Sequence, residues 1–177
     1  MNNQQNQPTV SNNTMPDKIT PFLWFNTEAE EAAHFYTGVF KNSKINHIAR
    51  YPEAGQEITG KAPGSVMVVD FELNGQSFTA LNGGPHFKFT EAVSFVIDCE
   101  TQEEIDYFWN KLSEHGQEGP CGWLKDRFGL SWQIVPTVLA DMVMDPDPEK
   151  SGRVTQAFLQ MKKFDIAALE RAYRGQN

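Results

Sequence analysis

The side chains able to do chemistry are few and scattered. His34, His47, His86 and His115 show no H-x-H or H-E-x-x-H spacing, so no zinc-type pair is spelled out. His34 falls on the polar side of an amphipathic stretch, and His115 near the end of another, where the helix dipole favours a cation. His86, in the turn-rich run GGPHFKF (83 to 89), is the weak catalytic candidate, able to reach a binding site as a base or hydrogen-bond donor. Cys99 and Cys121 lack a C-x-x-C spacing and a basic or His neighbour, which describes inert thiols in a reducing compartment and argues against a disulfide framework or structural zinc. No Ser/His/Asp order is recognisable. Glu30-Glu31 and Glu103-Glu104 fall in first helical turns, where the dipole accounts for them, and Asp126, in KDRFG, suits an Asx turn. Phe25 and Trp123 could stack on an aromatic ligand, although core packing is the commoner use of such rings.

Composition narrows the classes. The 177 residues carry 15 Lys+Arg against 23 Asp+Glu, a formal charge of −8. The basic residues are scattered singly or in pairs, so nucleic acid is not an expected partner. With 40% hydrophobic and 12% aromatic residues, the chain can bury a proper core. No apolar run approaches the length of a membrane span. The expectation is a soluble cytoplasmic protein.

The elements that would position a site follow from periodicity. Residues 1 to 17 read as a polar, disordered tail rich in Asn and Gln, with no signal-peptide pattern. A strand ITPFLWF (19 to 25) precedes a capping box Thr27-Glu-Ala-Glu30 and a helical stripe of Ala29, Ala32, Ala33, Tyr36 and Val39. KINHIARY (44 to 51), SVMVVDFEL (65 to 73) and QSFTAL (76 to 81) read as strands, the last two joined by Asn74-Gly75, a strong hairpin signal. Residues 52 to 64, rich in Gly and Pro, form a loop long enough for a flap. The order then restarts: strand AVSFVIDC (92 to 99), capping box Thr101-Gln-Glu-Glu104, helix stripe Ile105, Phe108, Trp109 and Leu112, then shorter strands to Pro136. Residues 137 to 177 read as a helical extension, its last helix capped by Asp165, with Phe164 and Leu169 as a staple and Gly175 after its end.

The restart is an internal repeat. At an offset of 73, FLWFNTEAEEAAHFYTGV (22 to 39) falls on FVIDCETQEEIDYFWNKL (95 to 112), and at an offset of 54, Gly75–Leu81 falls on Gly129–Val135. The chain is thus expected to be two βαβββ modules, 18–84 and 90–136. Strand alternation then assigns Phe22, Trp24, Phe78, Ala80, Phe95, Ile97, Trp132 and Ile134 to the helix-packed core. Leu23, Phe25, Thr79, Ser94, Val96, Gln133 and their same-phase neighbours fall on a mixed face suited to a ligand-lined concavity.

With these residues in view, ITPFLWFNTEAEEAAHFY, FTALNGGPHFKFT (78 to 90), AVSFVID and DRFGLSWQIVP (126 to 136) resemble the PhnB-like domain, also labelled the 3-demethylubiquinone-9 3-methyltransferase family, of the vicinal oxygen chelate superfamily. The resemblance spans about residues 18–136 and implies an α+β fold of tandem βαβββ modules making a cup-shaped mixed sheet, commonly dimeric. Metal-using members of that superfamily carry His or Glu at four cup positions, which match Pro21, Thr79, Ser94 and Gln133 here. None of these can supply an imidazole or anionic ligand, so neither a metal nor another cofactor is expected. The methyltransferase label finds no support in a Gly-rich strand-to-helix turn, since NTEAE and CETQE follow the two leading strands.

The expectation is a homodimer that binds a small, uncharged or weakly polar organic molecule near Leu23, Phe25, Thr79, Ser94, Trp123 and Gln133. Phe158, Leu159, Leu169 and Tyr173 of the extension offer a dimer arm. An enzyme of the labelled type, a lyase using His86, and a sequestering protein like bleomycin-resistance members stand as alternatives.

Overall fold

The computed structural model describes residues 19–176; the expected N-terminal tail lies outside them. The first module runs β1 (Phe22–Phe25), α1 (Ala29–Val39), β2 (Lys44–Arg50), a short exposed α2 (Gln56–Thr59) within the long loop, β3 (Val66–Leu73) and β4 (Gln76–Asn82). The second runs β5 (Ser94–Cys99), α3 (Gln102–Ser113), β6 (Gln117–Glu118), β7 (Trp123–Lys125) and β8 (Ser131–Pro136). Each module makes one four-stranded mixed sheet, in the orders β1-β4-β3-β2 and β5-β8-β7-β6. The leading strand is parallel to the last in both, and the other pairs are antiparallel. Asn74 and Gly75 take positive φ values of 47° and 84°, the left-handed pair that a two-residue hairpin needs.

The inner faces of the two sheets share one aromatic core. Tyr36 on α1 lies 6.3 Å from Phe71 and 5.7 Å from Trp132, and Phe78 of β4 meets Phe95 of β5 edge-on at 5.3 Å. Buried stripes from the two helices fill the space above the sheets: Ala32, Tyr36 and Val39 from α1, Ile105, Trp109 and Leu112 from α3. These pairs keep the offset of 73.

The strands do not. Pairing sets Phe22 beside Thr79 and Val96 beside Gln133, so β1 and β5 correspond at an offset of 74. Three residues, Asn26, Thr27 and Glu28, link β1 to α1, whereas Glu100 and Thr101 alone link β5 to α3. Because side chains alternate with period two, one residue of slip exchanges the faces of a strand. Leu23 and Phe25 are therefore inside, 6% and 4% exposed, while Phe22 is 60% exposed. The expected assignment of Phe22 and Trp24 to the core is corrected, and with it the position of Leu23 in the cup. Pro21 shares the phase of Leu23, so it does not correspond to Ser94.

The first capping box is also corrected. Asn82, not Thr27, serves the N-terminus of α1: its Oδ1 accepts the Ala29 N–H at 2.8 Å, and its Nδ2 donates to the Val66 carbonyl. The second cap forms, with Thr101 Oγ1 accepting from the Glu104 N–H at 3.2 Å, while the Glu104 carboxylate reaches one residue further back than a capping box requires and accepts from the Glu100 N–H at 2.7 Å.

Beyond β8 lie α4 (Val138–Val143), α5 (Pro148–Phe158) and α6 (Ile166–Arg174). Asp165 caps α6 by accepting from the Ala168 N–H, Gly175 closes it at φ 69°, and Phe164 and Leu169 are both buried. The extension packs on its own second module. The Cys121 and Gly122 N–H groups donate to the Met161 and Lys162 carbonyls at 2.7 Å, and Gln102 Nε2 donates to the Phe164 carbonyl. Leu169, one of the residues expected to form a dimer arm, is fully buried there, a contact that stabilises by about 2 kcal/mol relative to exposure.

Candidate functional site

Each sheet has an outer face turned away from the shared core. On the second module this face is built from Ser94 and Val96 of β5, Trp123 and Lys125 of β7, and Ser131 and Gln133 of β8, brought together by the register Val96–Gln133–Trp123 and Ser94–Ser131–Lys125. Gln133 Nε2 donates to Ser94 Oγ at 2.8 Å. Trp123 is half-buried and borders a cavity of about 450 Å³, with Pro120, Gly119, Lys125 and Ser131 among its walls. Ser131 is 0% exposed, and its Oγ has no hydrogen-bond partner among the described residues. A buried hydroxyl without a partner is uncommon enough to require an explanation.

On the first module the corresponding row runs Phe22, Thr79, Asp70 and His47 across four strands. Thr79 Oγ1 donates to Asp70 Oδ1 at 2.8 Å. Asp70, His47 and Lys125 were absent from the site expected from sequence, whereas Ser131 shares the phase of Gln133 on the expected mixed face. The alternation of Val69, Asp70, Phe71 and Glu72 carries the signal for Asp70. It becomes readable once Thr79 supplies the phase.

Thr79, Ser94, Trp123 and Gln133 thus lie on outer faces, but in two groups on different sheets. Leu23 is in the core. Phe25, at the buried end of β1, meets Phe89 at 5.2 Å and Phe128 at 6.0 Å, and borders a separate cleft of about 520 Å³ with Trp24, Phe87 and Arg127. His86 is exposed on the crossover between modules, beside Phe87, whose ring meets Trp24 edge-on at 4.9 Å. The Trp24 Nε1–H donates to the Gly84 carbonyl at 2.8 Å.

At the cup positions expected from sequence, the donor chemistry does not fit a divalent transition ion. The hydroxyl of Thr79 and the Gln133–Ser94 pair are neutral and already hydrogen-bonded, and Phe22 stands opposite Thr79 where a ligand would be needed. Among the described residues no group of three or more His, Cys, Asp or Glu side chains is placed to hold a metal. Burial, followed by the nearby carboxylates of Glu104 and Asp98, pushes the Cys99 thiol up to about 12, far from a reactive thiolate. Asp126, expected as an Asx turn, makes that turn by accepting from the Phe128 and Leu130 N–H groups. Its other oxygen accepts from the Tyr36 hydroxyl and the Trp132 indole N–H. It is a buried structural acceptor rather than a group facing ligand.

Two βαβββ units in tandem, each with a leading strand parallel to its last, define the vicinal oxygen chelate fold. The family model for 3-demethylubiquinone-9 3-methyltransferase matches residues 17–135, and the chain belongs to this PhnB-like family. The PhnB protein of Bacillus cereus is 39% identical, with 68% of this chain covering 99% of that one at a TM-score of 0.59. Protein PA1353 from Pseudomonas aeruginosa shares the fold at 19% identity, 67% and 96% coverage and a TM-score of 0.55. A glyoxylase/bleomycin resistance protein/dioxygenase domain from Frankia is a more distant neighbour, 14% identical over 66% of this chain and 88% of its own, with a TM-score of 0.42. No curated protein matches the chain. The family match stops before α4. Among the described residues no helix is long and apolar enough to cross a membrane.

Proposed function

We propose that the protein binds a small organic molecule, without a catalytic metal, in a cup assembled from two copies of the chain in the cytoplasm. The observation that carries this reading is the pair of outer faces. Each bears neutral polar groups held by a neighbour, Thr79 by Asp70 and Gln133 with Ser94, yet the two faces turn away from a common core and cannot close over one ligand within a chain. The leading strands β1 and β5 are open edges, and beside them Phe22, Val93 and Val96 are 60%, 66% and 53% exposed. Edges and apolar surface of this kind invite a partner. Pairing β1 of one copy with β5 of the other would set a Thr79 face beside a Gln133 face in one continuous concave sheet.

Sedimentation at micromolar concentration should show a dimer, and a monomer would overturn the two-copy cup. Protein purified without chelator should contain no stoichiometric transition metal. In a thermal-shift screen of metabolites, hits should lose their effect in Gln133→Ala and Trp123→Ala variants. Hits that ignore both substitutions would place the ligand elsewhere.

An enzyme, as the family description has it, is the second reading, favoured by the exposed His86 on the crossover beside Phe87 and Trp24. It requires that His86→Ala abolish turnover of a ligand found in the screen. A ligand that is bound but never altered would instead favour sequestration.

A further inference from the structure

The outer face of the second module carries a charge that a neutral cup does not use. Lys125 Nζ lies 2.5 Å from Glu91 Oε1, with the lysine side chain 31% exposed and the glutamate 63% exposed. The two partners differ in how they are held. Lys125 sits on β7, paired through its backbone to β6 and β8. Glu91 belongs to the exposed crossover before β5 and can withdraw without disturbing a sheet. Both border the cavity of about 450 Å³ beside Trp123, as does Ser131, the cross-strand neighbour of Lys125.

Resting on the cup reading above, we propose that this cavity binds an organic carboxylate with a flat apolar body, and that Glu91 occupies the carboxylate's place when the ligand is absent. Three observations converge. Lys125 and Ser131 are cross-strand neighbours bordering one cavity, and an ammonium with a hydroxyl offers two donors, one for each oxygen of a carboxylate. Glu91 serves Lys125 but leaves Ser131 Oγ without a partner; a ligand carboxylate reaching deeper would serve both. Trp123 and Pro120 supply the apolar wall on which a ring can lie, and the cavity volume falls in the range of small-molecule sites. The neighbouring Lys125 holds the Glu91 carboxyl below its usual range, so the internal partner is ionised and competes with a ligand at neutral pH. The site therefore selects for charge as well as shape, by exchange of one carboxylate for another with no bond made or broken.

The test is calorimetric titration of the full chain with 2-naphthoate and, as an uncharged analogue, 2-naphthamide. Naphthoate should bind, more weakly as salt is raised. Glu91→Gln, which removes the internal competitor, should tighten naphthoate about tenfold, and Lys125→Met and Ser131→Ala should each weaken it at least fivefold. None of the three should alter the affinity for naphthamide. Ser131→Ala removes a hydroxyl that has no partner, so its Tm should be unchanged or raised, which separates lost recognition from lost folding. Absence of naphthoate binding, or naphthoate affinities unmoved by Glu91→Gln and Lys125→Met, overturns the proposal. If naphthamide binds as tightly as naphthoate and loses affinity in Gln133→Ala, the charge selection falls while the cup stands.

Discussion

The Tyr36 hydroxyl of the first module donates to Asp126 Oδ2 of the second across 2.7 Å, in a position closed to water. Asp126 also accepts from the Trp132 indole N–H at 2.8 Å and from two backbone N–H groups. One carboxylate thereby ties α1 to the β7–β8 turn and holds the modules in register about their shared aromatic core.

Removal of this acceptor should cost far more than removal of one donor. Asp126→Ala leaves three buried donors and the part-buried Phe128 N–H without this acceptor and should destabilise by roughly 3 kcal/mol or more. Tyr36→Phe deletes one donor while Asp126 keeps the others, and should cost about 1–2 kcal/mol. Urea unfolding measures both. Equal losses would mean that Asp126 is not the shared acceptor.

The same carboxylate sets a pH dependence of unusual sign. Burial raises its pKa above 3.8, with the hydrogen bonds from Trp132, Tyr36 and the backbone opposing the shift only in part. The folded state then binds the proton more strongly than the unfolded state. Its contribution to stability is greatest below 3.8 and declines as pH rises through the raised value, levelling off beyond it. Across that window, wild type should lose stability relative to Asp126→Asn as pH increases. Burial, followed by the Asp126 charge, also raises the Tyr36 phenol well above 10.0. Stability should therefore fall further in alkali above 10, and Tyr36→Phe should lack that phase.

Neighbouring residues on β1 should respond oppositely to truncation. Leu23→Ala opens the core and should cost about 2–4 kcal/mol, whereas Phe22→Ala should leave chain stability within roughly 0.5 kcal/mol and, on the two-copy proposal, weaken self-association in sedimentation. The reverse ranking in urea would restore the strand phase expected from the repeat.

Gly122 should not tolerate a methyl group. It has φ 79°, and a Cβ there would lie 2.5 Å from the Phe164 ring and 2.7 Å from the Ile134 carbonyl oxygen. Gly122→Ala should cost about 2 kcal/mol or more and loosen the C-terminal helices, read as faster amide exchange over residues 161–174. Unchanged exchange would mean that the extension does not depend on this contact.

Much of the architecture was legible because it is written in local periodicity. The helix stripes at Tyr36 and Trp109, the Asn74-Gly75 hairpin, the Thr101 cap and the Asp165–Gly175 helix each depend on residues a few positions apart. The site was less legible. Thr79, Ser94, Ser131 and Gln133 have the strand phase expected and Trp123 lies beside them, but Leu23 is in the core, and Asp70 and Lys125 acquire meaning only from cross-strand neighbours. Asn82, 53 positions from the Ala29 N–H it accepts, is the clearest case: no local motif announces a cap supplied by the last strand of a sheet.

The sequence by itself determined that there are two βαβββ modules and which side of each helix is apolar, since a repeat and a 3.6-residue period survive without knowledge of partners. Tertiary structure alone decided which side of β1 is buried in the core. That phase depends on one extra residue before α1 and on parallel pairing with β4, and with a period of two a single residue reverses the answer. It also decided that the two polar faces point away from one another, because aromatic residues of both modules, Tyr36 with Trp132 and Phe78 with Phe95, pack into one shared core.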